Sequence, residues 1–186
     1  MQIKKIIYHI YSYKYFLYFN KFGFKSYIAP TLHVIKNNGY IETGPKLRIQ
    51  KGMRMELLDK NSEIIIGENV SIGQNFHITS GGKLLIGSNV TISGNIFITN
   101  IDHNYTDIAI PILEQKNIIR ETIIGDNCFI GYGACIQSGT KLGKQCIVGA
   151  NAVVRGEFPD YCVIAGVPAK IIKKYNSKSK LWERVK

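Results

Sequence analysis

From Ile124 onward an aliphatic residue recurs at every sixth position: Ile124, Ile130, Ile136, Leu142, Val148 and Val154. Gly follows the anchor at 125, 131, 143 and 149, and the fifth place of the first five units is small: Cys128, Ala134, Thr140, Cys146 and Ala152. The same rule runs from Ile66 (IGENVS, IGQNFH, ITSGGK) and from Ile86 (IGSNVT, ISGNIF, ITNIDH), with a two-residue slip beside Gly81 and Gly82 between the blocks. A period of six with one anchor per unit fits neither the 3.6-residue spacing of an amphipathic helix nor the alternation of a two-sided strand. It predicts stacked coils in which each unit forms a short strand and a turn, with anchor over anchor in a continuous interior. The Gly after the anchor is expected to permit the corner conformation, the small fifth residue to fit inside the turn, and the slip to be a short loop or bulge.

Outside the repeats the pattern changes. Residues 28–65 have scattered aliphatic and turn residues and predict one or two irregular coils. Ile3, Ile6, Ile7 and Ile10 recur at helical spacing, so residues 2–19 predict an amphipathic helix. From Pro168 the chain reads as a short strand (AKIIKKY) followed by a basic helix or tail carrying Trp182. The segment 101–122, IDHNYTDIAIPILEQKNIIRET, fits no sixfold register; a long insertion in a solenoid serves no stacking purpose and is usually functional. The divisions are therefore 1–27, a helical segment; 28–167, the coil domain with its 101–122 loop; and 168–186, a basic tail.

Composition sharpens this picture in two respects. Hydrophobic residues at 45% and charged residues at 20% exclude a disordered chain. The net charge of +11 first suggests a polyanionic partner, but its distribution argues otherwise. Residues 1–41 hold six Lys and no acid, and 168–186 hold seven basic residues against Glu183 alone. The span 42–167 carries 11 basic and 12 acidic residues, so no basic stripe runs along the repeats and nucleic acid is not an expected partner. A basic, aromatic helix suits an anionic membrane face, or equally the open end of a coil stack that needs a cap.

The four cysteines form no C-x-x-C pair, which removes a zinc ribbon or thioredoxin-type site. With Lys14 interrupting the N-terminal apolar run and no small-residue cleavage site, neither a membrane span nor a secretory signal is predicted. Free, buried thiols in a reducing, cytoplasmic setting are the expectation.

The I-G-x-N-x-x units resemble those of the hexapeptide-repeat acyltransferases, whose family fold is a left-handed parallel β-helix with three units per coil. The resemblance implies about four regular coils over residues 66–159. Within the insertion, D-H-x-Y-x-D-x-x-x-P-I (Asp102 to Ile112) is similar to the loop of the branch that acetylates bacterial surface polysaccharides (O-antigen, capsule and colanic acid). There a His at the start of the loop is the catalytic base, which assigns that role to His103. A hydroxyl is a poor nucleophile towards a thioester, so a base within hydrogen-bond reach is required, and such a base contributes about 10²–10⁴-fold.

The likeness carries further residues. Asp102 would orient an imidazole or serve only as a turn residue, and Tyr105 would stand near the acceptor. Phe76-His77-Ile78-Thr79 resembles the F-N-[LI]-T of galactoside and maltose acetyltransferases, with His77 replacing an Asn that faces the acceptor; the bland alternative is an outward His without a role. Phe129-Ile130-Gly131-Tyr132-Gly133 resembles the segment whose backbone N–H meets the thioester carbonyl, which assigns the Tyr132 amide to the oxyanion. Gly149 and Ala150 would line the pantetheine arm of coenzyme A, and Arg155 and Lys170 would meet its phosphates. The implied donor is acetyl-CoA, with no metal. The implied acceptor is a saccharide hydroxyl, free or lipid-linked, and the implied assembly is a homotrimer with donor clefts between copies. An N-acetyltransferase acting on a nucleotide-linked amino sugar is the alternative. A zinc-dependent carbonic anhydrase of the same fold needs three His ligands, and the repeats and loop offer only His77 and His103.

Overall fold

A computed structural model describes residues 2–185, with side chains from Ile6 onward. A helix, Gln2–Tyr15, and one 3-10 turn, Phe16–Tyr18, lead into a parallel β-helix of three faces. The first face runs from Tyr27–Ile28 through Arg48–Ile49, Ser71–Ile72, Thr91–Ile92, Phe129–Ile130 and Ile147–Val148 to Cys162–Gly166. The second comprises His33–Ile35, Arg54–Leu57, His77–Ser80, Phe97–Thr99, Cys135–Ile136 and Val153–Val154. The third comprises Tyr40–Thr43, Glu63–Ile66, Lys83–Ile86, Thr122–Ile124, Lys141–Leu142 and Glu157–Phe158. With two faces six-stranded, the stack has six complete turns. Residues 28–65 supply the first two, in the same register as the rest.

The sixfold anchors become columns. On the first face Ile28, Ile49, Ile72, Ile92, Ile130, Val148 and Ile164 lie in pairwise register, each 2% exposed or less. Burying one such side chain is worth about 1.5–3 kcal/mol, so the columns are the main source of cohesion. Inside the stack the small fifth-place residues are buried as expected, and the thiols of Cys128, Cys146 and Cys162 form a row, with 3.5 Å between the sulfurs of Cys146 and Cys162. Burial pushes the Cys162 thiol up to about 12. All four cysteines are free.

The corner conformation is not supplied by the Gly after the anchor. It falls to the Asn two places on: Asn69, Asn89, Asn127 and Asn151 have φ of 55°, 57°, 59° and 55°. Asn is the non-glycine residue that best tolerates this region. The glycine answers a different need, close stacking. A Cβ on Gly125 would stand 2.6 Å from the Gly143 carbonyl oxygen of the next turn. The slip at Gly81 and Gly82 is a two-residue corner between the longer strands His77–Ser80 and Lys83–Ile86, at the same edge from which the 101–122 insertion leaves.

Both termini depart from their sequence patterns. The helix caps the first turn, but with the face opposite to its isoleucines: Ser12 and Tyr15 are buried, and Ile6 and Ile10 face outward. The Ser12 hydroxyl donates to the Tyr8 carbonyl at 2.6 Å and accepts the Ile28 amide at 2.7 Å, joining helix to coil. The Ile3 side chain lies outside the described ones. Among the described residues no helix follows Pro168: Ala169–Asn176 pairs antiparallel with Cys162–Gly166 and with Leu181–Arg184, extending the first face to nine strands. Tyr175 and Trp182 sit in register with rings 5.7 Å apart, and cross-strand aromatic pairing of this kind favours a hairpin over a helix.

Candidate functional site

The insertion leaves the edge between the second and third faces. Its root is a short antiparallel ribbon, Ile101–Asp102 against Ile118–Ile119, and the Arg120 amide donates to the Asn100 carbonyl at 2.9 Å. Asn100 is fully buried, and its side chain meets the Gly81 amide, the Ser80 hydroxyl and the Lys83 carbonyl, which fixes the point of departure. Farther out the loop holds its own shape through Gln115, whose amide group bonds the backbone of Asp107 and Ile110. Its tip is apolar and bare: Ile108 and Leu113 are 101% and 87% exposed.

His103 is exposed at the start of this loop and borders two hollows. One, of about 300 Å³, is lined by Asp102, Tyr105, Arg120 and Arg155 with neighbouring loop residues. The other, of about 340 Å³, opens over the second face between Glu56, Thr79, Phe97, Thr99 and Asn117. Beside it His77 packs tilted against Phe97, ring centroids 5.0 Å apart, with Nε2 3.4 Å from Glu56 Oε1 but not aligned for a hydrogen bond. Arg54 also pairs with Glu56. The Thr79 hydroxyl donates to that of Thr99 at 2.7 Å. The second hollow thus offers one aromatic face with carboxylate, imidazole and hydroxyl groups around it.

Asp102 turns to two arginines and not to His103. Its carboxylate is taken by two guanidinium groups, from Arg120 and Arg155, and no hydrogen bond joins it to His103 among the described residues. Arg155 accordingly stands on the loop edge. The Arg120 stem lies over Gly139, at the same edge one turn on, where a Cβ would come within 3.1 Å of it.

The glycine-rich candidates lie on the edge between the first and second faces. There Gly131, Tyr132 and Gly133 stack on Gly149, Ala150 and Asn151. The flanking amides are used, Gly131 to the Val148 carbonyl at 2.9 Å and Gly133 to that of Gly94 at 3.1 Å; the Tyr132 amide finds no acceptor among the described residues. The Tyr132 hydroxyl meets Asn95 on the same edge. Lys170 is exposed in the C-terminal hairpin beside Ala165.

One chain therefore groups His103, Asp102, Tyr105 and Arg155 at one edge and Gly131–Gly133 with Gly149 and Ala150 at another, with His77 on the face between. The strands of that face are two to four residues long, roughly 7–13 Å at strand rise. Sequence reading missed Glu56 and Arg120. Glu56 lies before the regular repeats, where no register marks it as outward-facing, and only the folded ribbon places Arg120 against Asp102.

Comparison with known proteins agrees with this architecture. Residues 121–155 match the family model described as the hexapeptide repeat of succinyl-transferase. WbbJ of Escherichia coli K12, named as a lipopolysaccharide biosynthesis O-acetyl transferase, is 35% identical over 158 residues, covering 81% of this chain and 80% of WbbJ. A Mycobacterium tuberculosis protein named as an acetyltransferase is 31% identical over 77% of this chain, which spans 49% of its length. The fold also matches that of AntD, an N-acyltransferase from Bacillus cereus solved with dTDP and 3-hydroxybutyryl-CoA. The TM-score is 0.75 at 19% identity, over 90% of this chain and 89% of AntD. The chain belongs to the hexapeptide-repeat acetyltransferase family, and is on that ground an acyltransferase.

Proposed function

We propose that the protein transfers an acetyl group from acetyl-CoA to a hydroxyl of a saccharide destined for a bacterial surface polysaccharide or its precursor. The observation that carries this reading is the position of His103, beside a hollow that combines the Phe97 ring with Glu56 and the Thr79–Thr99 hydroxyl pair, with His77 against the same ring. A sugar presents an apolar C–H face and a rim of hydroxyls; an aromatic ring suits the first, and carboxylate and hydroxyl oxygens accept from the second. The likeness to WbbJ, named for O-acetyl transfer in lipopolysaccharide biosynthesis, supports the same class.

In the transfer, His103 takes the proton of the acceptor hydroxyl as its oxygen attacks the thioester carbonyl carbon. The carbonyl π bond opens to an oxyanion that the free Tyr132 amide is suited to meet. Re-formation of the carbonyl breaks the C–S bond, and the imidazolium returns its proton to the departing thiolate. The charge balances with no other reactant. Within one chain His103 and Tyr132 stand on opposite edges of the second face. The reading thus requires the Tyr132 edge of one copy to face the loop of another, as in a homotrimer, with the bare tip at Ile108 and Leu113 available for that contact. Gly131, Gly133, Gly149 and Ala150 would then line the pantetheine arm and Lys170 meet a phosphate; Arg155, held by Asp102, is placed with the loop edge.

The alternative, N-acetylation of a nucleotide-linked amino sugar, is favoured by the likeness to AntD, solved with dTDP, and by 47% identity over 58 residues to a tetrahydropyridine-dicarboxylate N-acetyltransferase of Clostridium perfringens. Thiol release from acetyl-CoA over a panel of saccharides and nucleotide-linked amino sugars separates the two. Release with hydroxyl acceptors, lost in His103→Ala, is the expected result. Release with amino sugars alone overturns the O-acetyl reading.

A further inference from the structure

The helix that caps the β-helix is two-sided in an unexpected sense. Its inner side holds Ser12 and Tyr15, buried against the first turn. Its outer side carries Ile6, Ile10, Tyr13 and Leu17, which are 60%, 69%, 86% and 89% exposed. Steps of four, three and four residues keep these four on one stripe along the helix and the turn that continues it. Two observations say what such a stripe suits. It is apolar and aromatic at the outer end of the molecule, where nothing in the fold covers it. Its setting is also of one charge: residues 1–41 contain six Lys and neither Asp nor Glu. Lys14 projects from the helix beside the stripe, and Phe24, 77% exposed, and Lys25 follow in the next turn, the ammonium 5.4 Å from the ring centroid. The first acid in the chain, Glu42, is already engaged by Lys21 and Tyr40.

We propose that this face docks on an anionic lipid bilayer, with the stripe lying in the interface and the lysines at the level of the head groups. Large apolar and aromatic side chains on one face, with cations flanking them, are the arrangement that holds a helix in the plane of a membrane surface. Each lysine near an anionic surface adds to the attraction, which salt screens. No helix among the described residues is long and apolar enough to cross a membrane, so the contact is peripheral. A second copy of the chain fits less well, since a symmetric contact through this face would bring its lysines against one another. The inference goes beyond the acetyl-transfer reading and does not depend on it: docking needs no acceptor, donor or turnover.

The test is co-sedimentation of the full chain with vesicles of phosphatidylcholine alone and with a quarter of phosphatidylglycerol. The expected result is binding to the anionic vesicles only, weakened by raised salt. The double variant Ile10→Glu, Leu17→Glu should lower the bound fraction about tenfold or more, since it removes two exposed apolar side chains from the docking stripe and adds two repelled charges. It leaves Ser12 and Tyr15 untouched, and an unchanged circular dichroism spectrum and melting temperature show that the cap still folds. Lys14→Glu with Lys25→Glu reports the charge part separately, and should weaken binding most at low salt. Absence of binding by the wild-type chain overturns the proposal, as does equal binding by the Ile10→Glu, Leu17→Glu variant. A fall in native mass in that variant, measured without lipid, also overturns it, because the stripe then faces another copy.

Discussion

Asp102 and Arg155, 53 residues apart in the chain, form an ion pair across the edge from which the loop departs, and Arg120 shares the same carboxylate oxygen. Asp102 is the residue immediately before His103, so the clamp acts on the backbone that sets the imidazole rather than on the imidazole itself. Both arginines are about half exposed, and exposed pairs of this kind contribute at most about 1 kcal/mol to stability. Asp102→Asn is therefore expected to lower kcat by about tenfold while moving the melting temperature little, a loss that fits misplacement of a reacting group. The KM for acetyl-CoA should hold. Arg155→Gln should reproduce a smaller part of the same kcat effect, and a rise in the acetyl-CoA KM instead would return Arg155 to the donor side.

Glu56, His77 and Phe97 meet beside the second hollow, and their removal should be read against that of His103. For His103→Ala the expected loss is about 10²–10⁴ in kcat with the fold intact. For Phe97→Ala the expected loss is in acceptor affinity, seen as a raised acceptor KM with kcat within a few-fold of wild type. His77→Phe keeps an aromatic contact and removes the nitrogen near Glu56. If it raises the acceptor KM, the imidazole takes part in recognition; unchanged kinetics would leave His77 an outward residue without a role.

Much of the fold was legible because a repeating backbone forces a repeating sequence. The anchors at Ile124, Ile130 and their successors announce the columns directly, and the slip at Gly81 and Gly82 announces the corner between His77–Ser80 and Lys83–Ile86. Legibility failed where one residue type answers two needs. Glycine is read by habit as a left-handed corner residue, yet here the corner is Asn and the glycine is a gap left for the next turn. The helix misled for a related reason. Its isoleucine stripe is the most apolar part of the N-terminus, but the surface it caps is met by Ser12, whose hydroxyl supplies the Ile28 amide with an acceptor that no isoleucine has. At the site, His103 stood out by type and position. The clamp on Asp102 could not be seen, because nothing local links residues 102, 120 and 155.

The division of labour between glycine and asparagine at the corners can be tested directly. Gly125→Ala places a methyl group 2.6 Å from the Gly143 carbonyl oxygen and 2.7 Å from its carbon, which rigid stacked backbone cannot yield to. A loss of about 2–3 kcal/mol or more, or failure to fold, is expected. Asn127, at φ 59°, tells the opposite story. Asn127→Ala should cost about 1–2 kcal/mol, and Asn127→Gly should be close to neutral, since only the left-handed conformation is at stake. The measurement is chemical denaturation of the three variants. Equal losses for Ala at both positions would show that stacking space and corner conformation are not separable.

Glu42 gives the capped end a dependence on pH whose sign follows from its contacts. The Tyr40 hydroxyl donates to its Oε2 at 2.7 Å and the Lys21 ammonium stands 3.2 Å away; the Tyr40 bond first, then Lys21, hold its carboxyl below the usual carboxylate range. A depressed carboxyl stabilises the fold above its unfolded value, near pH 4, and that contribution is lost as pH falls through the lower folded value. Lys21 belongs to the segment that joins the capping helix to the first turn, and it is bridged to Glu42 through the backbone as well. Glu42→Gln removes the charge and keeps the shape. Thermal denaturation from pH 7 down to pH 3 should therefore show the wild type above the variant at neutral pH, with the gap closing as the solution is acidified below about pH 4. The carboxylate is partly exposed, so the gap should be small and should shrink in high salt. A gap that widens on acidification would mean that Glu42 is stabilising in its protonated form, which the donors around it do not allow.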